Sequence, residues 1–252
     1  MSIRALRGPQ PLPAAATAEK LSLSTRLRRN RKADWSRRLV RENTLTTDDL
    51  IWPLFLIDSQ DARTPISSMP GIDRITVDEA VREAELAARL GIPALAPFPY
   101  VDPALRDATG SEAENQHNLM CRAVRAIKQA VPEIGLITDA ALDPYTSHGH
   151  DGVMTEDGRI LNDPTVAILC RQSLALAEAG ADCIAPSDMM DGRIGAIRQA
   201  LDEAGFEDTQ IMSYAAKFAS GFYAPFRDAI GTKATLIGDK RTYQMDPANT
   251  DE

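Results

Sequence analysis

Two stretches of this sequence carry side chains that could do chemistry. The first, DAALDPYTSHGHDG from Asp139 to Gly152, holds three carboxylates and two histidines within fourteen residues. Such a set could bind a metal ion, move protons, or form a polar loop. In an extended backbone, His148 and His150 would share one face. The second stretch, SYAAKFASGFYAPFRD from Ser213 to Asp228, sets Lys217 among small and aromatic residues. Keeping a lysine charged in such surroundings is costly, so its pKa is expected to fall and its neutral amine to become available. A neutral amine attacks a ketone and forms a Schiff base. A lysine at a strand end can equally snorkel to solvent or pair with Asp188, and the residue alone does not decide between these roles.

These residues need elements to position them, and from residue 50 the chain alternates short apolar runs with helical patterns. IWPLFLI (51–57), PALAPFP (93–99), GLITDAAL (135–142), DCIAPS (182–187) and QIMSYAAK (210–217) read as strands. Residues 76–91 read as a helix with a Thr76/Glu79 capping box, a shared face of Ala80, Val81, Ala84 and Leu90, and a stop at Gly91. Further helices are expected over about 115–130 (Leu119, Val124 and Ile127 inward), from Asp163-Pro164 to Gly180, and over 190–204. Repeated strand–helix units with apolar strands imply a parallel sheet covered on both faces. Asp139, Asp143, Ser187, Asp188 and Lys217 fall at or just beyond the C-terminal ends of strands, where a (β/α)8 barrel places its site. An open doubly wound sheet would use the same ends, but no GxGxxG follows the first strand. The expected fold is therefore an α/β TIM barrel represented by about its first five β/α units, with residues 48–252 as the catalytic domain and 1–47 as a mobile segment and basic arm.

Composition sets the outer bounds. The net charge of −8 argues against nucleic acid as the main partner of the folded body, and no apolar run approaches the roughly 20 residues of a membrane span. Cys121, Cys170 and Cys183 are widely spaced and odd in number, which suggests buried thiols in a reducing compartment. Residues 26–41 hold eight Arg or Lys against one Asp. This front end reads as an oligomerisation arm, an organelle transit peptide, a nucleic-acid arm or plain disorder.

APSDMMDGR (185–193) and SYAAKFASGFYAPFRD together resemble the porphobilinogen synthase, or δ-aminolevulinic acid dehydratase, family. SSMPGI (67–72), GSEA (110–113), YTSHGHDG (145–152) and GDKRTYQM (238–245) match the same family in the same order, so the resemblance runs from about Arg26 to the last residue. It implies a (β/α)8 barrel with an arm that embraces a neighbouring subunit, usually in an allosteric octamer, in the cytoplasm. The implied reaction condenses two molecules of 5-aminolevulinate into porphobilinogen with loss of two waters, on the route to haem and other tetrapyrroles. It needs no organic cofactor. Lys217 matches the Schiff-base lysine. Arg227 and Lys240 match the cationic pair that grips that substrate's carboxylate, with Gln244 assisting. Ser187 and Asp139 match polar residues near the reacting groups, Asp139 as a proton-transfer partner.

In zinc-using members of the family, cysteines stand at the positions of Ala141, Asp143 and Asp151, so the resemblance excludes a three-cysteine zinc site here and points to Mg2+ or K+ as the activating ion. No ligand is assigned. The HxH pair His148/His150 offers a rival reading as a metal-dependent barrel hydrolase, but in those enzymes the pair sits on the first strand, and here the histidines read rather as hydrogen-bonding the loop itself. Family members also continue well beyond QMDPANTDE, and that part carries the second Schiff-base lysine and the second substrate's carboxylate site. A third reading is therefore a non-catalytic partial barrel, with Lys217 more protonated for want of a neighbouring ammonium.

Overall fold

The computed structural model describes residues 23–232 and 235–251. The Ala- and Pro-rich stretch expected to be mobile lies mostly outside the described residues. The chain divides into two units, Met1–Leu45 and Thr46–Glu252. In the first, a turn of 3-10 helix over Leu27–Arg31 precedes helix α1 (Asp34–Leu39), where Arg37 reaches back to Asp34 and to the Arg31 carbonyl. Trp35 and Leu39 on this helix are exposed.

The second unit opens with β1 (Ile51–Ile57), β2 (Arg63–Pro65) and β3 (Asp73–Ile75), followed by α2 (Val77–Leu90) and β4 (Ala94–Tyr100). Then come α3 (Leu119–Ala130), β5 (Gly135–Ala140), the β6–β7 hairpin (Val153–Met154, Ile160–Leu161) and α4 (Asn162–Ala179). The chain continues through β8 (Cys183–Pro186), α5 (Arg193–Glu203), β9 (Gln210–Ile211) and α6 (Ala224–Ala229). The main sheet has the order β2-β3-β1-β4-β5-β8-β9 and is parallel except for β2. Leu56, Leu95, Leu136 and Ile184, one from each of the four central strands, are fully buried and form the core with Ala80, Ala84 and Ala87 of α2 and Val124 and Ile127 of α3. Small alanines on α2 let the helix approach the sheet closely. Gly91 and Gly180 end α2 and α4 in the left-handed region, as expected. Cys121 and Cys183 are buried thiols and Cys170 is half-buried.

Several local expectations are corrected. The Thr76/Glu79 capping box does not form, because Glu79 turns instead to Arg63 on β2 and to Arg82. Leu90 is exposed, so the buried face of α2 runs through Ala87. The helix expected from 115 starts at Leu119, where Asn118 accepts the Cys121 N–H at 2.8 Å and supplies the cap. The largest difference concerns the fifth strand. It was expected to run to Lys217, but β9 ends at Ile211. Met212 and Tyr214 still donate to Ile184 and Pro186 carbonyls, and a tight Ala215-to-Ser213 turn then carries the chain off the sheet. Lys217 is held by a different partner: Met245 N donates to its carbonyl at 3.0 Å, within an isolated parallel bridge Phe218–Met245.

Leu136 lies at the centre of this core, and Leu136→Ala should destabilise the chain by about 2–5 kcal/mol. A urea titration checks this as a lower midpoint at unchanged slope; a midpoint shift worth under 1 kcal/mol would show that the core relaxes around the cavity.

Candidate active site

The C-terminal ends of β5, β8 and β9 bring three loops together. Asp139 is the last polar residue of β5, and register pairs it with Ala185 of β8, which places Ser187 close by. The Ser187 hydroxyl donates to Asp139 Oδ1 at 2.6 Å. Lys217 is buried, with 8% of its surface exposed, and its Nζ donates to the Ser187 carbonyl at 2.6 Å and lies 3.4 Å from Asp151 Oδ1. The Tyr223 ring covers it, with its centroid 5.8 Å away.

A turn over 240–244 supplies the other half. Tyr243 N and Gln244 N both donate to the Lys240 carbonyl, so Lys240, Tyr243 and Gln244 project from one turn. Lys240 Nζ sits 3.0 Å from Asp143 Oδ2 and 2.6 Å from Asp151 Oδ2, and the Tyr243 hydroxyl lies 2.8 Å from the same Asp151 oxygen. The fully buried Asp151 carboxylate thus bridges two ammonium ions. Arg227 lines a cavity of about 230 Å3 together with Lys240, Gln244 and Ser220, and its guanidinium donates to the Ser220 carbonyl at 3.1 Å. Gln244 is buried on this cavity, and its side-chain oxygen has no hydrogen-bond partner among the described residues.

The electrostatics reverse the expectation for Lys217. Burial does act to lower its pKa, but the carboxylates of Asp151, Asp143 and Asp139 outweigh burial and hold it above the ordinary lysine value. Of the aromatic residues near Lys217 in sequence, Tyr223 does cover its Nζ, but the carboxylates that set its charge come from elsewhere in the chain. Lys240 is raised in the same way, against burial, by Asp143 and Asp151. Burial pushes Asp139 up to about 7, against the opposing pull of Lys217 and Ser187. Asp151 goes the other way: burial would raise it, but Lys217, Lys240 and the Tyr243 hydroxyl keep it below the usual carboxylate range. A second buried acid, Asp188, is pushed up to about 7 by burial, despite the Met190 N–H and Arg193.

The histidines have no open ring nitrogen. His148 Nε2 donates to the Ala108 carbonyl at 3.2 Å, while its Nδ1 accepts the His150 N–H. His150 Nε2 donates to the Ile237 carbonyl at 2.6 Å, and its Nδ1 lies 3.0 Å from the Tyr243 hydroxyl. Gly149 between them has φ +73°, and a Cβ there would stand 2.9 Å from Leu236 N. The HGH run is therefore a docking strip for residues 235–237, and the HxH hydrolase reading is overturned. Nor do the aspartates fit a resident Mg2+ ion. Asp143 Oδ2 and both oxygens of Asp151 are engaged by ammonium or hydroxyl groups, and two neighbouring cations oppose a third. Sequence reasoning passed over Tyr243 and the bridging role of Asp151; the available signal was Tyr243 three residues after Lys240.

An α/β protein with a mostly parallel sheet and a lysine-centred site at its strand ends is the class these observations define. The sequence model of delta-aminolevulinic acid dehydratase matches residues 24–252, and the chain belongs to that family. The delta-aminolevulinic acid dehydratase of Bradyrhizobium diazoefficiens is 67% identical, aligned over 94% of this chain and 67% of its own length. That of Rhodobacter capsulatus is 51% identical over 91% and 69%, and a chloroplastic relative from Arabidopsis thaliana is 46% identical over 95% and 56%. The crystal structure of the Toxoplasma gondii enzyme in complex with the reaction product porphobilinogen is 48% identical and superposes with a TM-score of 0.87, covering 91% of this chain and 65% of that one. The chain thus spans about two thirds of the bacterial relatives and just over half of the plant one. Its sheet follows the barrel course of that fold, and among the described residues it does not close.

The raised pKa of Asp139 has a consequence for stability. The folded chain holds a proton there that the unfolded chain has already lost, so this group lowers stability as pH rises from about 4 to about 7. Asp139→Asn keeps an acceptor for Ser187 and removes that loss. In urea titrations the variant should gain on the parent more at pH 8 than at pH 4.5; a difference independent of pH would contradict the assignment.

Proposed function

We propose that this chain carries the Schiff-base chemistry of porphobilinogen formation, in which two molecules of 5-aminolevulinate condense with loss of two waters. The observation that carries this reading is the buried Lys217 Nζ, set between a bridging carboxylate and the Asp139–Ser187 pair, in a chain of this family. The keto group of one 5-aminolevulinate would enter beside Lys217. Its carboxylate would be held in the Arg227 cavity, where the half-buried guanidinium suits an anionic head group. Fixing both ends of a small keto acid aligns the carbonyl carbon with Nζ, and orientation of this kind lowers a barrier by several kcal/mol.

The lysine must lose a proton before it can attack. The released proton passes to a carboxylate of the cluster, the Nζ–C bond forms, and the carbonyl oxygen becomes a hydroxyl. Asp139, poised at about 7, can give a proton to that hydroxyl as it leaves as water. The product is a protonated imine on Lys217, an electron sink that acidifies the adjacent carbon for the later carbon–carbon bond.

The reading extends to a cytoplasmic homo-oligomer. Three unpaired thiols suit a reducing compartment, and no described helix is long and apolar enough to cross a membrane. The exposed Trp35 and Leu39 give the basic arm an apolar face of the kind that subunit contacts use.

Borohydride reduction in the presence of 5-aminolevulinate, followed by peptide mass mapping, tests the proposal. The adduct is expected on Lys217, to vanish in Lys217→Met, and to form faster as pH rises from 7 to 10, since a raised pKa leaves little free amine at neutrality. A stable adduct on another lysine, or none from the folded chain, overturns it.

A further inference from the structure

Arg227 is not held by its own contacts alone. Its short helix α6 is gripped at the C-terminal end by side chains from three other parts of the unit. Arg74 of β3 donates through Nε to the Ala229 carbonyl at 2.7 Å and through Nη2 to the Asp228 carbonyl. Arg106 donates to the Gly231 carbonyl at 2.9 Å, and its other nitrogens are fixed on the Val101 carbonyl. The Tyr100 ring lies against both guanidinium groups, with Cζ of Arg74 and Arg106 at 4.5 and 5.5 Å from its centroid. Gly231 packs on the same ring: with φ +78°, a Cβ there would stand 2.4 Å from Tyr100 Cε2. The SSMPGI stretch closes the ring of contacts, because the Ser67 hydroxyl and Ser68 N–H donate to Asp228 Oδ2 and the Ser68 hydroxyl donates to the Pro225 carbonyl. Phe226 sits edge-on to Phe55 and Phe98 beneath the helix.

Two cations placed on the carbonyl end of a helix oppose its negative pole, and a planar guanidinium fixes both the distance and the rotation of what it binds. Arg227 lies one residue before Asp228, on the last turn of that same helix. Rotation or sliding of α6 would therefore carry its guanidinium away from Lys240 and Gln244. We propose that Arg74, Tyr100 and Arg106 are positioning residues that set Arg227 and so determine recognition of the keto acid's carboxylate. This rests on the functional reading above. It adds that discrimination between an acid and its neutral analogue is controlled by a collar outside the cavity, since none of the three residues lines it.

The test uses the full chain and two probes with the same ketone, 4-oxopentanoate and its methyl ester, each trapped on Lys217 by borohydride over a range of concentrations. The unsubstituted chain is expected to take up the acid at lower concentration than the ester. In Arg74→Met the half-saturating concentration of the acid should rise about tenfold while that of the ester stays unchanged. Arg227→Met should show the same loss, and the double variant should be no worse than either. Arg74→Lys, which keeps the charge without the planar fork, should recover only part of the preference and guards against a Met variant that fails to fold. An equal loss for acid and ester would make the collar merely structural and overturn the inference, as would full acid preference in Arg74→Met. If the unsubstituted chain traps neither probe, the functional reading itself falls.

Discussion

The Asp151 carboxylate, buried between the ammonium groups of Lys217 and Lys240, is the constraint around which the site is built. Removing a charge from water costs several kcal/mol, and only close opposite charges and hydrogen bonds offset it. Asp151 has both: two lysines and a tyrosine hydroxyl on its oxygens. Each partner comes from a separate stretch of chain, so the carboxylate can be buried only when the loop after β5, the segment after β9 and the 240–244 turn are all in place. The HGH run serves the same end. It fixes residues 235–237 by the Ile237 N–H, the Ile237 carbonyl and the close approach at Gly149.

The charge balance follows from this. Asp139, Asp143 and Asp151 face two ammonium ions, and the surplus of negative charge keeps Lys217 protonated, while burial pushes Asp139 towards neutrality. Lysine and acid are thereby held in complementary states, one with a proton to lose and the other able to exchange a proton near pH 7. The lysine is thus not activated by burial in an apolar pocket. To act as a nucleophile it must first pass its proton to a group of the cluster.

Much of the frame was legible in the sequence. Apolar runs marked β1, β4, β5 and β8, and Gly91 and Gly180 marked two helix ends, because these signals are local. Asp139, Ser187, Arg227, Lys240 and Gln244 were singled out through family resemblance, and the structure brings Asp139 and Ser187 to Lys217 and gathers the others on the adjoining cavity. What could not be read was long-range. The carboxylates that set the charge of Lys217 Nζ are at least 66 positions away in the chain, so its sequence neighbours gave the wrong sign for its pKa. The end of β9 was missed because strand pairing there depends on how far β8 continues. The histidines were read as shaping the loop, and they do, but their partners Ala108, Ile237 and Tyr243 are distant in sequence and could not be named from it.

The central claim is that Lys217 is a carboxylate-stabilised ammonium and not a lysine made neutral by its surroundings. Its side-chain nitrogen resonance, followed by NMR from pH 6 to pH 11 in the chain without substrate and assigned with Lys217→Met, measures this directly. The account predicts the ammonium signal throughout the range up to at least pH 10.5, with titration above the ordinary lysine value. A midpoint below about pH 9 would contradict it.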